Sequence, residues 1–322
     1  MNVLVTGAAG FVGRSLLQRL GVTTGCRVVA VVRRLSDLPA GGGDCSAVVV
    51  LGVVPSLAQI DWSRALQRVD AVVHLAARVH VAQGGSADAL AAFRAVNVDG
   101  TLNLARQCAA AGVKRFVFVS SAKVNGEVTR PGQRFAESDE PEPLGAYAVS
   151  KCEAEQGLRE LSEQTGLEAV IIRPPLVYGT GVKANFAALI RAVQLGWPLP
   201  LGAVHNRRSL VALDNLVDFI VVCLTHPLAA NQTFLVSDGQ DLSTPELIRG
   251  IAAAAGTRPH LLPVPDGLLR LAAAVMGKRE AMQRLCGNFQ VDISKSRSLL
   301  GWTPPITVVE GLRRALAKPS EP

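Results

Sequence analysis

The 322-residue sequence is poor in aromatic residues and in charge, and its cysteines form no pairs. Aromatic residues make up 4% and charged residues 18% of the chain, and the six cysteines include no CxxC pair. Neither a zinc knuckle nor a disulfide framework is therefore predicted, and the histidines show no metal-ligand spacing. No apolar stretch is long enough to span a bilayer, and the first residues lack the basic segment of a signal peptide. We expect a cytoplasmic protein without a metal ion or an integral membrane segment.

Basic residues outnumber acidic ones, 33 Lys and Arg against 26 Asp and Glu, which gives a formal charge of +7. This excess suits an anionic partner such as a nucleotide, a nucleic acid or a membrane surface. The sequence has no run of four or more basic residues, and its basic residues are not interleaved with aromatic ones. Both absences argue against a nucleic acid. We expect a small phosphorylated ligand instead.

Short runs of β-branched residues alternate with longer segments of helical periodicity. The runs are NVLVT at 2–6, RVVAVV at 27–32, AVVVL at 47–51, AVVHL at 71–75, RFVFVS at 115–120 and EAVIIR at 168–173. Continuous apolar strands that alternate with helices predict a parallel sheet covered on both faces. The predicted fold class is therefore α/β, with a doubly wound, Rossmann-like sheet.

The sequence changes in character after Arg173, where prolines become frequent and most segments have helical periodicity. We predict a dinucleotide-binding domain over 1–179 and a smaller, mostly helical substrate-binding region over 180–322. Segments such as Gln232–Val236 are candidates to return to the main sheet. The stretch Leu268–Met276 is apolar at nearly every position, which favours core or a dimer surface over a membrane contact.

Three glycines, Gly7, Gly10 and Gly13, follow the first predicted strand, and a helix is predicted to begin near Phe11. In such a turn the first glycine permits the tight turn, and the second lets backbone N–H groups approach a pyrophosphate. The third lets the helix pack closely on the strand. Together with Phe11 and Val12, this turn is predicted to bind a dinucleotide. The alternative is a glycine-rich turn without a ligand.

The second predicted strand ends without the acidic residue that usually binds the ribose 2′-hydroxyl in an NAD site. It is followed by Arg33 and Arg34, whose guanidinium groups can pair with a 2′-phosphate. NADP(H) is therefore favoured over NAD(H). The alternative is that both arginines form a solvated turn and that Asp37 binds the ribose.

Two serines and a Tyr-x-x-x-Lys pair follow the glycine turn along the chain. Ser120 and Ser121 stand at the carboxyl end of a strand, where such sheets bind ligands. Tyr147 and Lys151 lie four residues apart in a helical segment and share one face of that helix. A nearby ammonium stabilises a phenolate and lowers the pKa of the tyrosine.

We predict that Tyr147 transfers the proton and that Lys151 tunes it and binds the ribose of the cofactor. Ser121 is predicted to bind the oxygen of the reacting carbonyl or alcohol. The alternative is an exposed Tyr and Lys pair that occurs by chance.

These residues, in this order, resemble the extended short-chain dehydrogenases and reductases of the NAD-dependent epimerase/dehydratase family. The resemblance covers nearly the whole chain. Its further motifs are HLAA at 74–77, NVDGT at 97–101, RPPLVYG at 173–179, RRSLVALD at 207–214, VDISK at 291–295 and LGW at 300–302.

The resemblance implies additional contacts for a cofactor and a nucleotide-sugar substrate. For the cofactor these are Leu75, Ala76, Ala77, Asn97, Ser120, Tyr147, Lys151 and Pro174. For a UDP-sugar they are His80, Ser121, Lys123, Tyr147, Asn185, Arg207 and Asp292. Asn185 and Arg207 would hold the diphosphate; the alternatives are a polar residue at a helix start and a solvated loop arginine. Helices of this family often pair into dimers, so a homodimer is expected.

The sequence departs from the family pattern in three places. Leu51-Gly52-Val53 stands where an aspartate near the adenine is often found. Asn125 stands where the family often has a tyrosine in the loop that contains Ser121. Val32 stands at the acidic position of epimerases that retain NAD. These departures bear on the adenine contact, on sugar recognition and on the type of reaction.

The runs STPELIR at 243–249 and LLPVP at 261–265 resemble bacterial 4-ketoreductases that form UDP-N-acetylquinovosamine for surface polysaccharides such as lipopolysaccharide O-antigen. A reductase exchanges its cofactor at each turnover, whereas a 4-epimerase retains NAD, so the two arginines favour reduction. We predict NAD(P)H-dependent reduction of the C4 ketone of a UDP-4-keto-6-deoxy-hexose. One alternative is a UDP-hexose or UDP-N-acetylhexosamine 4-epimerase with tightly bound NAD⁺. A less favoured alternative is a cofactor-sensing module without turnover.

Overall fold

A computed structural model of the chain describes residues 1–38, 45–52, 56–79, 86–277 and 279–317. Its strands are β1 Asn2–Thr6, β2 Arg27–Val32, β3 Ala47–Val50, β4 Ala71–His74, β5 Arg115–Val119, β6 Glu168–Arg173, β7 Leu176–Tyr178, β8 Leu210–Ala212 and β9 Thr233–Leu235. Seven of them form one parallel sheet in the order β3-β2-β1-β4-β5-β6-β9, and β7 pairs with β8 in a small parallel sheet. This order confirms the predicted doubly wound α/β fold.

The helices of the described residues connect and cover these strands. They are α1 Phe11–Gly21, α2 Ser86–Arg94, α3 Gly100–Ala110, α4 Gly145–Thr165, α5 Ala184–Gln194, α6 Leu213–Thr225, α7 Thr244–Ala254, α8 Asp266–Val275, α9 Arg279–Cys286, α10 Ser294–Leu300 and α11 Val308–Leu316. Over these ranges, no helix has both the length and the hydropathy that a membrane crossing needs.

The two faces of the sheet bury alternate residues of each strand, as the period of two requires. Val3 and Val5 of β1 pack with α1 and α6 on one face, whereas Leu4 packs with α3 and α4 on the other. Because both faces are covered, the central strands are apolar throughout. This explains the uninterrupted runs of valine and isoleucine in the sequence.

The chain beyond residue 180 is mainly helical, as predicted, and has a core of its own. That core lies between α5, α7, α11 and the strands β7 and β8. The segment predicted to return to the main sheet does so, because β9 pairs with β6 from Ile171 opposite Thr233 to Arg173 opposite Leu235. The division at 179 and 180 stays a prediction.

Candidate active site

The turn between β1 and α1 has no room for side chains at its first and third glycines. Gly7 has φ +67°, and a Cβ there would lie 2.8 Å from the backbone nitrogen of Ala76. A Cβ on Gly13 would lie 2.6 Å from the carbonyl oxygen of Ala8. The turn between β1 and α1 therefore packs against the segment after β4. The start of α1 packs against the turn itself. The close packing at Gly13 is the one predicted from the sequence, whereas the approach of Gly7 to the segment after β4 was not predicted.

The first turn of α1 offers backbone N–H groups to a ligand. Gly10 is the residue before the helix, and no side chain in the described part of the protein caps it. The N–H groups of Phe11, Val12 and Gly13 belong to the first turn, where a helix supplies no carbonyl partner. The helix dipole adds partial positive charge at this end. The residues present therefore fit a pyrophosphate.

The loop after β2 presents two exposed guanidinium groups. Arg33 and Arg34 are exposed, and neither forms an ion pair with a described residue. The carboxylate of Asp37 accepts the backbone N–H of Arg34 at 3.1 Å, which uses one of its oxygens. Arg14, which the sequence analysis did not single out, donates to the carbonyl oxygens of Ala9 at 2.9 Å and Asp37 at 3.0 Å. Its guanidinium ties the glycine turn to this loop.

The segment after β4 lies against the glycine turn, as the cofactor prediction requires. The N–H groups of Leu75 and Ala76 donate to the carbonyl and hydroxyl oxygens of Thr6, each at 3.3 Å. Ala77 is half-buried just beyond. His80, predicted to contact the substrate, lies outside the described residues.

Asn97 is buried in a π-helical turn over Ala95–Asp99. Its amide accepts the N–H of Arg78 at 2.8 Å, donates to the carbonyl of Arg78 at 3.1 Å and donates to Ser150 Oγ at 3.0 Å. It therefore joins the segment after β4 to α4. Insertions of this π type are frequent at functional sites, and the sequence analysis did not predict this one.

Ser121 stands just after β5 and begins the 3₁₀ turn Ala122–Val124. Its hydroxyl oxygen accepts the N–H of Lys123 at 3.3 Å, which leaves the hydroxyl proton available to a ligand. The N–H of Ala122 donates to the carbonyl of Pro174 at 2.9 Å, so this turn rests on the segment after β6. Helix α4, with Tyr147 and Lys151 one turn apart, packs against the same turn.

The two α4 residues have shifted pKa values, and burial is the main cause of both. Burial lowers the pKa of the Lys151 ammonium to about 7, although the Glu155 carboxylate acts in the opposite direction. The ammonium nitrogen of Lys151 lies 4.0 Å from the centre of the Phe118 ring. Burial raises the pKa of Tyr147 to about 12. The expectation that Lys151 lowers the pKa of this tyrosine does not hold in the chain alone, where the phenol stays protonated.

A buried ionic cluster, which the sequence analysis missed, lies on the same helix. Glu155 is fully buried and accepts hydrogen bonds from Ser120 Oγ at 2.6 Å, Arg173 Nη2 at 2.6 Å and Arg159 Nη2 at 2.8 Å. Arg173 also donates to Asn125 Oδ1 at 2.9 Å. We call these five residues the Glu155 cluster. An acidic residue four positions after Lys151 on a face with Ala154 and Leu158 was the available signal.

The residues predicted to bind the substrate are more exposed, and three of them already have protein partners. Lys123 pairs with Glu127 at 3.0 Å and Arg207 with Glu246 at 2.8 Å. The carboxylate of Asp292 accepts the N–H and hydroxyl of Ser294 at the start of α10, which lowers its pKa. Asn185 is exposed in the first turn of α5. No contact joins these four residues to one another, and their roles stay predictions.

Two comparisons of the sequence identify a family and a relative of this chain. The model of the NAD dependent epimerase/dehydratase family matches residues 3–237. A Vibrio cholerae protein named UDP-glucose 4-epimerase is 45% identical over 314 residues, which cover 97% of this chain and 94% of that protein.

Solved structures share the fold. The UDP-glucuronic acid 4-epimerase of Bacillus cereus, in complex with NAD, has a TM-score of 0.76 at 22% identity and covers 98% of this chain and 97% of its own. RMD from Pseudomonas aeruginosa, complexed with NADPH, has a TM-score of 0.71 at 22% identity and covers 98% of each chain. At such identities the likeness shows the fold alone. The family model and the Vibrio relative go further: this chain belongs to the NAD-dependent epimerase/dehydratase family.

Proposed function

We propose that the protein uses NADPH to reduce the C4 ketone of a UDP-4-keto-6-deoxy-hexose, in particular the N-acetylamino sugar that gives UDP-N-acetylquinovosamine. One observation carries the choice of reduction. At the end of β2 the guanidinium groups of Arg33 and Arg34 are exposed without ion pairs to described residues, and the Asp37 carboxylate binds a backbone N–H. Guanidinium groups recognise a 2′-phosphate, and a reductase draws on NADPH at each turnover.

The side chains of the site supply the proton and the polarisation that the reaction needs. A bound nicotinamide would supply the hydride to C4. Ser121 donates a hydrogen bond to the ketone oxygen, which develops negative charge. Tyr147, which its raised pKa keeps protonated, gives its proton to that oxygen. Lys151, when charged, stabilises the phenolate left behind, and solvent returns the proton.

The UDP moiety of the proposed substrate is supported by the Vibrio relative, which is named for a UDP-sugar. In our proposal Arg207 exchanges Glu246 for the diphosphate, with Asn185 at the start of α5 beside it. Arg207 is half exposed and its ion pair is at the surface, where such pairs contribute little. Lys123 and Asp292 are assigned to the sugar on the family resemblance alone.

A second candidate is a 4-epimerase of a UDP-hexose or UDP-N-acetylhexosamine with retained NAD. The 45% identity to a protein named UDP-glucose 4-epimerase favours it. The same three side chains serve, since Tyr147, as a phenolate stabilised by a charged Lys151, would accept the proton of the C4 hydroxyl and later return it. A non-catalytic sensor is disfavoured because it has no use for a buried Lys151 beside Tyr147.

The deciding experiment gives the purified protein UDP-4-keto-6-deoxy-N-acetylglucosamine with NADPH or NADH and follows the loss of reduced nicotinamide. We expect stoichiometric oxidation that is faster with NADPH. UDP-glucose and UDP-N-acetylglucosamine without added cofactor are the parallel samples. Interconversion of either sugar with its C4 epimer, without oxidation of added cofactor, would overturn the reductase and establish the epimerase.

A further inference from the structure

The Glu155 cluster joins four pieces of the chain that carry the site. Glu155 lies one turn after Lys151 on α4 and accepts from Ser120 at the end of β5. Arg173, at the end of β6, donates to both of its oxygens, through Nε at 3.0 and 3.2 Å and Nη2 at 2.6 Å. The fourth piece is the loop after β5, because Asn125 accepts from Arg173 and donates to the carbonyl of Ala136 at 2.8 Å.

Each contact is adjacent to a residue with a role in the proposed reaction. Ser120 precedes Ser121, and Arg173 precedes Pro174, whose carbonyl holds the Ser121 turn. The cluster therefore fixes the Ser121 hydroxyl, which would bind the ketone oxygen, in its position relative to helix α4, which carries Tyr147. Catalytic groups gain most from support of this kind, because small displacements lower the rate.

Removing the Glu155 and Arg173 charges from water is costly, and apolar residues could fill the same space. Replacing a buried ion pair by well-packed hydrophobic residues is often neutral or stabilising. The Glu155 side chain has no exposure and that of Arg173 has 2%. Apolar packing could join the same strands and helix but would supply neither the directed hydrogen bonds nor the negative charge.

The negative charge acts on Lys151. The groups that act on its ammonium are the Phe118 ring on β5, Glu155 on α4 and His74 on β4. His74 is neutral, because burial and Lys151 lower its pKa to about 3. Glu155 is thus the anion that opposes the loss of charge from Lys151 on burial.

We propose that Glu155, held by Arg173, is a positioning residue that sets the Ser121 turn against α4 and places a negative charge one helical turn from Lys151. The inference rests on the proposed proton transfer at C4, which reduction and epimerisation share. It therefore holds for either reaction.

The test compares Glu155→Gln with Glu153→Gln. Glu153 lies on the same helix but pairs with Arg94 at the surface, so its substitution removes a charge without touching the cluster. The measured quantity is the pH dependence of kcat/KM for NADPH, which reports the cofactor-free enzyme. We expect Glu155→Gln to move the alkaline limb about one pH unit lower, since removal of a neighbouring opposite charge lowers the pKa of a lysine. Glu153→Gln should leave the limb unchanged.

Two further variants separate charge from shape. Glu155→Asp retains the charge, so the limb should return towards its wild-type position even if kcat stays low. Asn125→Ala retains Glu155 but releases the loop from Arg173, so kcat should fall several-fold with the limb unmoved. If Glu155→Gln does not fold, Asn125→Ala decides, and a wild-type kcat in that variant overturns the proposal. A Glu155→Gln enzyme with a wild-type limb and a lower Tm alone also overturns it.

A binding measurement keeps this test apart from the proposed function. Lys151 is assigned to the ribose, so the affinity for NADPH, followed by nicotinamide fluorescence, should weaken at a lower pH in Glu155→Gln than in the wild type. This titration needs no turnover. If reduction fails and epimerisation is found, the kinetic profile is measured on that reaction. A shifted binding profile without any reaction would reject the proposed function and support the role of Glu155.

Discussion

The residues proposed for catalysis and those proposed for the substrate are held in opposite ways. Lys151 has 1% exposure, and Glu155 behind it has none. The side chains of Lys123 and Arg207 are 40% and 53% exposed, and each pairs with a surface carboxylate. Glu155 accepts several hydrogen bonds and is set before a ligand arrives, which is how preorganised charge lowers a barrier. Exposed pairs contribute little and can be exchanged for a diphosphate at small cost.

The largest expected effect comes from removing the proposed proton donor, Tyr147. Tyr147→Phe should lower kcat about 10³-fold, because a positioned acid contributes roughly 10²- to 10⁴-fold. NADPH affinity should stay close to the wild-type value. Tyr178→Phe is the matched control, since the other tyrosine donates to Asp238 at 2.7 Å inside the core. It should lower Tm with little change in kcat. Full activity in Tyr147→Phe would refute the mechanism.

The next effect concerns the exposed arginines after β2. The double change of Arg33 and Arg34 to alanine should raise the KM for NADPH about 10- to 100-fold, because a hydrogen bond to a charged group contributes about 1.5–3 kcal/mol and solvent screens both exposed guanidinium groups. The KM for NADH should not change. Arg19→Ala, which removes an exposed arginine of α1 that pairs with Asp218 at 3.6 Å, is the control. An equal rise for both cofactors would mean that the arginines do not read the 2′-phosphate.

A smaller effect is expected on the substrate side. Arg207→Ala should raise the KM for the UDP-sugar about tenfold and leave kcat within a small factor, as the loss of one charge-assisted hydrogen bond predicts. The control is Arg313→Ala, an exposed arginine whose pair with Glu310 is on α11. A fall in kcat with constant KM would place Arg207 with the buried catalytic group instead.

The sequence predicts local features of this protein far better than its long-range pairs. Continuous valine runs predict the buried strands, and the glycine spacing predicts the turn that presses on Ala76. The bond from Glu155 to Arg173 joins residues 18 apart, and that from Arg173 to Asn125 joins residues 48 apart. With 33 basic residues available, no spacing indicates which one a buried carboxylate selects.

The pKa of Tyr147 shows the same limit. The four-residue spacing correctly places Tyr147 and Lys151 on one helix, but it says nothing about the depth at which each side chain lies. Burial raises the pKa of Tyr147 and lowers the pKa of Lys151. Without a bound ligand, both side chains are therefore displaced towards their neutral forms. Desolvation depends on the packing of the whole sheet, which no local pattern contains.

The smallest effect concerns stability rather than activity and tests the buried side without a ligand. His74 Nδ1 lies 2.7 Å from Thr6 Oγ1 and Nε2 lies 3.0 Å from Thr101 Oγ1, and burial lowers its pKa from 6.5 to about 3. Below pH 6.5 the unfolded chain binds a proton at this histidine that the folded chain refuses, so the free energy of unfolding falls as the pH falls. The slope is about 1.4 kcal/mol per pH unit.

Urea unfolding between pH 7 and pH 5, compared between the wild type and His74→Gln, measures that slope. The variant lacks the titrating group and should show a shallower fall, even if its stability at pH 7 is lower. His260→Gln, at an exposed histidine, should keep the wild-type slope. Equal slopes in the wild type and His74→Gln would show that His74 takes up its proton in the folded chain. Its ammonium neighbour Lys151 would then face a second cation, and the charge that Glu155 supplies would have to offset both.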